Sequence, residues 1–364
     1  MGVRHCTVEE VGSDPAFWRG RRVFITGHTG FKGSWLSLWL QRLGAEVHGY
    51  ATSPPTRPDL FTVADVASSL AGHTLADVRD AHALSRAMAA ADPEVVFHLA
   101  AQPLVRHSYE APVETYAVNV LGTINLLEAA RRCRTVRTVV NVTTDKCYEN
   151  DEAPRSFKES DPLGGHDPYS SSKACAELVT AAYRHSFLKT AGVSVASARA
   201  GNVIGGGDWA VDRLVPDFFR AVDSNTVLHV RHPEATRPWQ HVLEPLKGYL
   251  LLAECLTQQG ARFAESWNFG PADGDAKPVR WILDHLAARC ADARWMVDGG
   301  PHPSEAARLR LDSSKAAARL GWSPRWDIQQ ALDRTLEWHR EWRDGRDMKA
   351  VCLAQIDAYE AATA

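Results

Sequence analysis

Short apolar runs rich in β-branched residues alternate with longer stretches of helical apolar spacing through the first half of the chain. The short runs predict buried strands at 22–26, 45–50, 94–99, 138–142 and 193–198. The longer stretches predict helices at 34–43, 115–132 and 169–190. Because strands that alternate with helices form a parallel sheet covered on both faces, the pattern predicts a doubly wound α/β fold.

The pattern changes after residue 200. Residues 201–208 are glycine-rich, and proline and tryptophan become frequent beyond them. We therefore expect two domains: a first at 1–200 and a smaller, mixed α/β domain at 201–364 that adds the substrate side of a cleft. A segment near 228–258 is expected to return to the sheet of the first domain.

A glycine-rich turn joins the first predicted strand to the first predicted helix. Its glycines let the backbone turn tightly and approach a pyrophosphate, and the helix that follows offers unpaired N–H groups and a partial positive charge. In this context the turn predicts a Rossmann-type dinucleotide site. The turn residues expected to contact the cofactor are Gly27, Thr29, Gly30, Phe31, Lys32 and Gly33. The alternative is a tight strand–helix turn that binds no ligand.

The residues after the second strand leave the choice between NAD and NADP open. The expected ribose-binding acid is absent at 49–53, and Arg57 is compatible either with a 2′-phosphate or with a solvated loop. Asp77 and Val78 follow a later loop, where the carboxylate lies either near the adenine amino group or at the surface.

Tyr169 and Lys173 lie one helical turn apart, so they share a helix face. A free tyrosine has a pKa of about 10 and is a poor base at neutral pH. A neighbouring ammonium and a positively charged nicotinamide both favour the phenolate, which can take a hydroxyl proton while hydride leaves the same carbon. The alternative is an ordinary surface pair.

Polar residues follow the predicted strand at 138–142, where the carboxyl end of a parallel strand faces a ligand cleft. Thr144 can bond the substrate oxygen that Tyr169 attacks, while Asp145 and Lys146 add an acid and a base that a simple oxidation does not need. The alternative is a turn with a solvated ion pair. Further along, Asn202, Arg213 and Arg237 are the expected diphosphate contacts, although each arginine could equally form a salt bridge.

Composition excludes several classes of protein. A formal net charge of -3 gives no general affinity for nucleic acid or anionic membranes, and no apolar run is long enough to span a bilayer. The N-terminus lacks an apolar signal core, and the 7 cysteines are scattered without a CxxC pair, which favours a reduced, cytoplasmic protein. No His or Cys spacing indicates a metal site.

Several stretches resemble the extended short-chain dehydrogenase/reductases that act on nucleotide sugars, over nearly the full chain. Among these, the chain is most similar to the 4,6-dehydratases that act on CDP-glucose, and Thr144-Asp145-Lys146 is the discriminating piece, since TDP-glucose dehydratases carry Thr-Asp-Glu there. The stretches are HLAAQPLVRHSYE (98–110), TTDKCYEN (143–150), DPLGGHDPYSSSK (161–173), RAGNVIGGGDWAVDRLVPD (199–217) and RPWQHVLEPL (237–246).

The resemblance implies NAD as cofactor, with Ala100, Ala101 and Asn119 among its contacts. It also implies that Tyr169 deprotonates the C4 hydroxyl, that water leaves across C5 and C6 with Asp145 as acid, and that hydride returns to C6. The product would be CDP-4-keto-6-deoxyglucose. Whether Lys146 removes the C5 proton or orients Asp145 stays open. A homodimer through the helices at 115–132 and 169–190 is expected, although such helices also pack within one chain.

Two other functions compete with the dehydratase. A nucleotide-sugar epimerase would use Tyr169 and Lys173 but return hydride to C4, and the acid beside Lys146 argues against it. A non-catalytic dinucleotide sensor of the same fold would not need the Tyr–Lys pair that this chain keeps.

Overall fold

The computed structural model describes residues 13–151, 155–291, 293–300 and 309–362. The strands are β1 (Arg22–Thr26), β2 (Glu46–Ala51), β3 (Gly72–Leu75), β4 (Val95–His98), β5 (Thr138–Val142), β6 (Ser194–Ala200), β7 (Val203–Ile204), β8 (Val227–Val230), β9 (Thr236–Pro238), β10 (Gln240–His241), β11 (Ser266–Phe269), β12 (Ala276–Pro278) and β13 (Arg294–Val297).

The α-helices are α1 (Pro15–Trp18), α2 (Phe31–Arg42), α3 (Leu60–Val63), α4 (Ala81–Ala91), α5 (Val105–Glu110), α6 (Pro112–Tyr116), α7 (Gly122–Arg132), α8 (Pro168–Tyr183), α9 (Leu214–Asp223), α10 (Leu243–Gln259), α11 (Val279–Ala287), α12 (Ser314–Leu320), α13 (Ile328–Arg343) and α14 (Met348–Ala361). A π-helical turn at Ala117–Leu121 joins α6 to α7, and another at Arg184–Leu188 continues α8.

A seven-stranded parallel sheet forms the centre, in the order β11-β6-β5-β4-β1-β2-β3. β1 pairs with both β2 and β4, so the strand order reverses beside it. Ligands of open α/β sheets bind at the carboxyl ends of the strands at such a reversal. The topology therefore indicates a ligand site at the residues that follow β1 and β4.

Helices cover both faces of this sheet, and each face has its own apolar core. On one face α2 and α10 pack with Trp35, Trp39 and Leu250 among their buried residues. On the other face α4 and α7 bury Met88 and Leu127. Burial on both faces explains why the central strands read as continuous apolar runs.

A second lobe stands over the carboxyl edge of the sheet. Its core joins α9, α11 and α13 to the two-stranded β8–β13 sheet. Within the segment 228–258 that was predicted to return, β8 packs in the second lobe and α10 covers the main sheet. β11, which lies beyond that segment, adds the seventh strand of the main sheet. We propose that the dinucleotide domain takes in α10 and β11 as well as residues up to 200.

The predicted strands at 22–26, 45–50, 94–99, 138–142 and 193–198 are confirmed as β1, β2, β4, β5 and β6. The predicted helices are confirmed as well, although α2 begins at Phe31, inside the glycine turn. β3 was not predicted, because it is an edge strand with mostly exposed side chains and no apolar run. β11 was missed because Ser266–Phe269 has too few residues to show a period.

Candidate active site

A cavity of about 810 Å³ opens between the carboxyl edge of the sheet and the second lobe. It is lined by the glycine turn except His28, by the residues after β4 and β5, and by residues of the second lobe. The expected site residues on its wall are Gly27, Thr29, Gly30, Phe31, Lys32, Gly33, Asp77, Val78, Ala100, Ala101, Thr144, Asp145, Lys146, Tyr169, Lys173, Asn202, Arg213 and Arg237.

Asn119 is the expected cofactor contact that does not line this cavity. Its side chain is buried, accepts a hydrogen bond from the N–H of Gln102 at 2.8 Å and donates to the hydroxyl of Ser172 at 2.9 Å. Asn119 therefore lies behind the cavity wall, where it ties the loop after β4 to α8. The sequence indicated only that Asn119 lies near the site. It could not distinguish a residue that contacts the cofactor from one that supports the cavity wall from behind.

Two glycines of the turn, Gly27 and Gly33, have no room for a side chain. A Cβ on Gly27 would lie 2.7 Å from the backbone nitrogen of Ala100, and one on Gly33 would lie 2.0 Å from the carbonyl oxygen of Gly27. Gly27 also has a φ of 79°, which glycine adopts without strain. α2 begins at Phe31 within this turn, so the N–H groups of its first residues lie at the cavity wall as a pyrophosphate requires.

The wall of the cavity beyond β2 contains a carboxylate that sequence reasoning missed. Asp59 lines the cavity and is 6% exposed, and its carboxylate caps α3 by accepting the N–H of Thr62 at 2.7 Å. The loop that carries it is longer than the spacing that the motif predicts, so no local signal marks it. Asp77 binds Arg79 at 2.6 Å, and Arg57 is exposed and does not line the cavity.

Tyr169 and Lys173 project from the first turns of α8 into the cavity. The helix starts there because Asp167 accepts the N–H of Ser170 at 2.9 Å and Pro168 occupies the first helical position. Burial raises the pKa of Tyr169 to about 12, although a hydrogen bond with Thr144 lowers it in part. Burial also lowers the pKa of Lys173 to about 8, against the charge of Glu177. In the protein alone the phenol is therefore neutral.

Asp145 and Lys146 follow β5 on the same wall. The hydroxyl of Thr144 donates to Oδ1 of Asp145 at 3.0 Å, while Oδ2 is buried without a hydrogen-bond partner. Burial raises the pKa of Asp145 to about 6, against the opposing charges of Lys146 and Arg237. Gly201 makes room for the carboxylate, since a Cβ there would lie 3.0 Å from Oδ2. Asp145 thus keeps its proton to a higher pH than an exposed aspartate does, and it has an unsatisfied oxygen on the wall of the site.

Positive charge gathers between the two lobes. Arg213 donates to Asp208 at 2.8 Å and lines the cavity with Arg237 and Asn202. Lys32, at the start of α2, also faces this region, where burial and the charge of Arg213 lower its pKa to about 8. The sequence placed Lys32 with the cofactor, and the structure adds that it acts on Asp145 electrostatically.

Some other kinds of site are absent from the part of the chain that the structure describes. Its His, Cys, Asp and Glu residues form no group of three or more that could hold a metal ion. Within those same ranges, none of the helices combines the length and apolar character that a bilayer crossing demands. The 6 described cysteines are free thiols, and Cys6 lies outside the described residues.

Residues 24–335 match the protein family described as GDP-mannose 4,6 dehydratase. A CDP-glucose 4,6-dehydratase of Salmonella typhimurium is 51% identical over 356 residues, which cover 96% of this chain and 99% of that protein. The chain belongs to this 4,6-dehydratase family, within the extended short-chain dehydrogenase/reductases.

Solved structures agree with membership of the 4,6-dehydratase family. A dTDP-glucose 4,6-dehydratase of Streptomyces venezuelae, solved with NAD bound, has a TM-score of 0.74 and 27% identity, covering 90% of this chain and 99% of that chain. A UDP-glucose 4-epimerase of Thermotoga maritima has a TM-score of 0.77 at 22% identity, covering 88% of this chain and 99% of that chain. The second likeness concerns the fold alone, which confirms the predicted Rossmann-type α/β class.

Proposed function

We propose that this protein is an NAD-dependent 4,6-dehydratase that converts CDP-glucose to CDP-4-keto-6-deoxyglucose. The observation that carries the proposal is the presence of Asp145 on the same cavity wall as Tyr169, with a raised pKa and a buried, unsatisfied carboxyl oxygen. An oxidation or an epimerisation needs no such acid. The 51% identity to a CDP-glucose 4,6-dehydratase supports both the reaction and the sugar nucleotide.

The residues at the glycine turn fit NAD. Gly27 and Gly33 leave the backbone bare where a pyrophosphate approaches, and Asp59 and Asp77 supply carboxylates on the adenosine side of the cavity. A carboxylate there favours a ribose hydroxyl over a 2′-phosphate, which supports NAD over NADP. NAD held at this turn would supply the acceptor for a hydride from the sugar and the donor that returns it.

Tyr169 and Lys173 act on the first proton that is transferred, the proton of the C4 hydroxyl. Tyr169 takes the proton of the C4 hydroxyl as that carbon is oxidised, and Thr144 orients the same oxygen by hydrogen bonding. Lys173 carries a positive charge that favours the phenolate, and Glu177 helps to keep that charge because it raises the pKa of the lysine. The pH at which Tyr169 ionises therefore depends on the positive charges gathered around it.

Asp145 and Lys146 take part in the elimination of water across C5 and C6. The C4 ketone acidifies the C5 hydrogen, and the neutral carboxyl of Asp145 donates its proton to the departing C6 hydroxyl. Lys146 lines the same wall and either takes the C5 proton or orients Asp145. Burial of the site keeps bulk water away from the unsaturated sugar.

The substrate is a nucleotide sugar, and we place its diphosphate at Arg213 and Arg237, with Asn202 beside them. Guanidinium groups bind phosphate with two parallel hydrogen bonds, and both arginines line the region between the two lobes. The hexose then lies between this diphosphate and Tyr169.

We also propose that the protein is a cytoplasmic homodimer. Apolar side chains are exposed on the outer faces of the two long helical segments that contain α6, α7 and α8, among them Val113 at 82% and Leu178 at 59%. Two copies packed through these helices would cover them. The free thiols of the described cysteines support a reducing compartment.

The test is product analysis of the purified protein with NAD and, separately, CDP-, dTDP-, UDP- and GDP-glucose in deuterated water. The proposal expects a 4-keto-6-deoxy sugar with deuterium at C5 from CDP-glucose in preference to the others. A C4-epimerised sugar that retains its C6 hydroxyl would make the protein an epimerase. If only another sugar nucleotide were converted, the proposed reaction would stand and the proposed preference for cytosine as the base would be wrong.

A further inference from the structure

Two opposite charges line the cavity wall that the second lobe provides. Asp217 lies in the first turn of α9, and Arg231 directly follows β8. α9 and β8 are held together by one apolar core, to which Val215, Phe218 and Val230 belong. The spacing of the two charges is therefore set by packed elements.

The carboxylate of Asp217 is held in one orientation. Arg220, one turn further along α9, donates to its Oδ1, and the other guanidinium nitrogen of Arg220 donates to the carbonyl of Trp209 at 3.0 Å. Burial raises the pKa of Asp217, whereas the charges of Arg220 and Arg231 lower it. The side chain of Asp217 is 28% exposed and lines the cavity, where a ligand can reach it.

The polar edges of the pyrimidines differ at two positions. Cytosine presents a donor amino group at C4, whereas uracil and thymine present an acceptor oxygen there. Cytosine also has an acceptor at N3, where uracil and thymine carry an N–H donor. A carboxylate accepts hydrogen bonds only, and a guanidinium donates only. Such a pair matches the edge of cytosine and opposes the edges of uracil and thymine.

We propose that Asp217 and Arg231 select the base, with Asp217 accepting a hydrogen bond from the C4 amino group of cytosine and Arg231 donating to N3 and O2. This inference rests on the proposed function, because it assumes that a CDP-sugar occupies the cavity. It assigns base selection to two side chains to which the sequence analysis gave no role. Arg220 acts as the positioning residue that fixes the orientation of Asp217.

The experiment compares Asp217→Asn with the wild-type protein, using CDP-glucose and UDP-glucose with NAD. The amide of asparagine can donate to the C4 oxygen of uracil, so the ratio of kcat/KM for CDP-glucose over UDP-glucose should fall by about tenfold or more. The change should reside in KM, because Asp217 is remote from the reacting carbons. Asp284→Asn, at an exposed position on α11, is the matched control and should leave the ratio unchanged.

Two further measurements separate base selection from damage to the fold. Calorimetric titration of CDP and UDP into the protein should show the same change of preference without turnover. Arg231→Gln should also move the preference toward UDP, because the amide oxygen of glutamine can accept the N3–H of uracil.

Equal losses for both nucleotides, or an unchanged ratio in both variants, would overturn the inference. Such a result would leave the proposed function intact, provided that the wild-type protein converts CDP-glucose. Failure of the wild-type protein to act on CDP-glucose would instead contradict the proposed function itself.

Discussion

Glu177 and Arg199 form a buried ion pair beneath the catalytic residues, with Oε2 of Glu177 accepting from Nη2 of Arg199 at 2.8 Å. The other oxygen of Glu177 accepts the hydroxyl of Thr143 at 2.5 Å, and Arg199 donates to the hydroxyl of Tyr148 at 2.8 Å. Glu177 lies one turn beyond Lys173 on α8. The pair thus joins the helix that carries the Tyr–Lys pair to β6 and to the segment after β5 that carries Asp145.

Replacing Glu177 with Gln should affect both stability and catalysis. Arg199 would be left buried without its counter-ion, so the free energy of unfolding should fall by about 3–5 kcal/mol in urea titration. The pKa of Lys173 should fall further, because Glu177 raises it. The alkaline limb of the kcat–pH profile should therefore move to lower pH.

Glu265→Gln is the control for this variant, since Glu265 forms a half-exposed ion-pair cluster with Lys315 and Arg319. Its loss should cost about 1 kcal/mol or less and leave the pH profile in place. An alkaline limb that stays in place in Glu177→Gln would show that the pair acts on stability alone.

Replacing Asp145 with Asn should stop the loss of water but not the removal of the C5 proton. The dehydration rate should fall by about 10²–10⁴-fold, while NMR still detects exchange of the C5 hydrogen with solvent deuterium. Since burial raises the pKa of Asp145 to about 6, the wild-type elimination step should slow as pH rises above that value and the acid is lost. Asp273→Asn, which is exposed, should match the wild-type protein. Normal product formation by Asp145→Asn would remove the acid from the mechanism.

Gly33→Ala should abolish dinucleotide binding. The added Cβ would lie 2.0 Å from the carbonyl oxygen of Gly27, so the turn cannot keep its conformation. Gly274→Ala, where a Cβ meets nothing within 4 Å, is the matched control. Calorimetric titration with NAD should give binding to the control and none to Gly33→Ala. Binding of NAD to both variants with equal affinity would place the cofactor elsewhere.

The stability of the fold should depend on pH through Glu244. Burial raises the pKa of Glu244 from 4.5 to about 7, although its carboxylate accepts the hydroxyl of Tyr359 at 2.6 Å. At this group the folded state therefore binds more protons than the unfolded state between these values, so the contribution of Glu244 to the free energy of unfolding should fall as pH rises through them. The slope for this one group is at most about 1.4 kcal/mol per pH unit.

Glu244→Gln should reduce that slope in urea unfolding series at about pH 5 and about pH 7. It should not abolish the slope, because burial also raises the pKa of Glu254 to about 7. A slope in Glu244→Gln equal to that of the wild-type protein would contradict the assignment. The sign of the wild-type slope is not the test, because burial lowers the pKa of His28, His98 and His241 and these groups act in the opposite direction.

Leu178→Asp should dissociate the proposed dimer. Leu178 is 59% exposed on α8, and a carboxylate there would be buried between the two copies. Leu75, which is 55% exposed on the edge strand β3, provides the control. Sedimentation equilibrium should find a dimer for the wild-type protein and Leu75→Asp, and a monomer for Leu178→Asp. A monomeric wild-type protein would reject the dimer.

The elements that the sequence predicted correctly are those specified by local chemistry. Five strands of the main sheet are buried on both faces, so their apolar runs are continuous: β1, β2, β4, β5 and β6. The turn after β1 requires glycine where backbone atoms approach too closely for a side chain. Tyr169 and Lys173 share a helix face through spacing alone. Periodicity, turn chemistry and helix geometry act within a few residues, and a sequence displays them directly.

Other features depended on residues far apart in the chain. β11 belongs to the main sheet only because it pairs with β6, and Asn119 lies behind the cavity wall because Gln102 and Ser172 hold it there. The raised pKa of Asp145 follows from its burial, which the charge of Arg237, far away in the chain, opposes in part. Burial and electrostatic potential at a point are sums over everything packed around it, so the sequence determined which groups are present and the tertiary structure decided what each group can do.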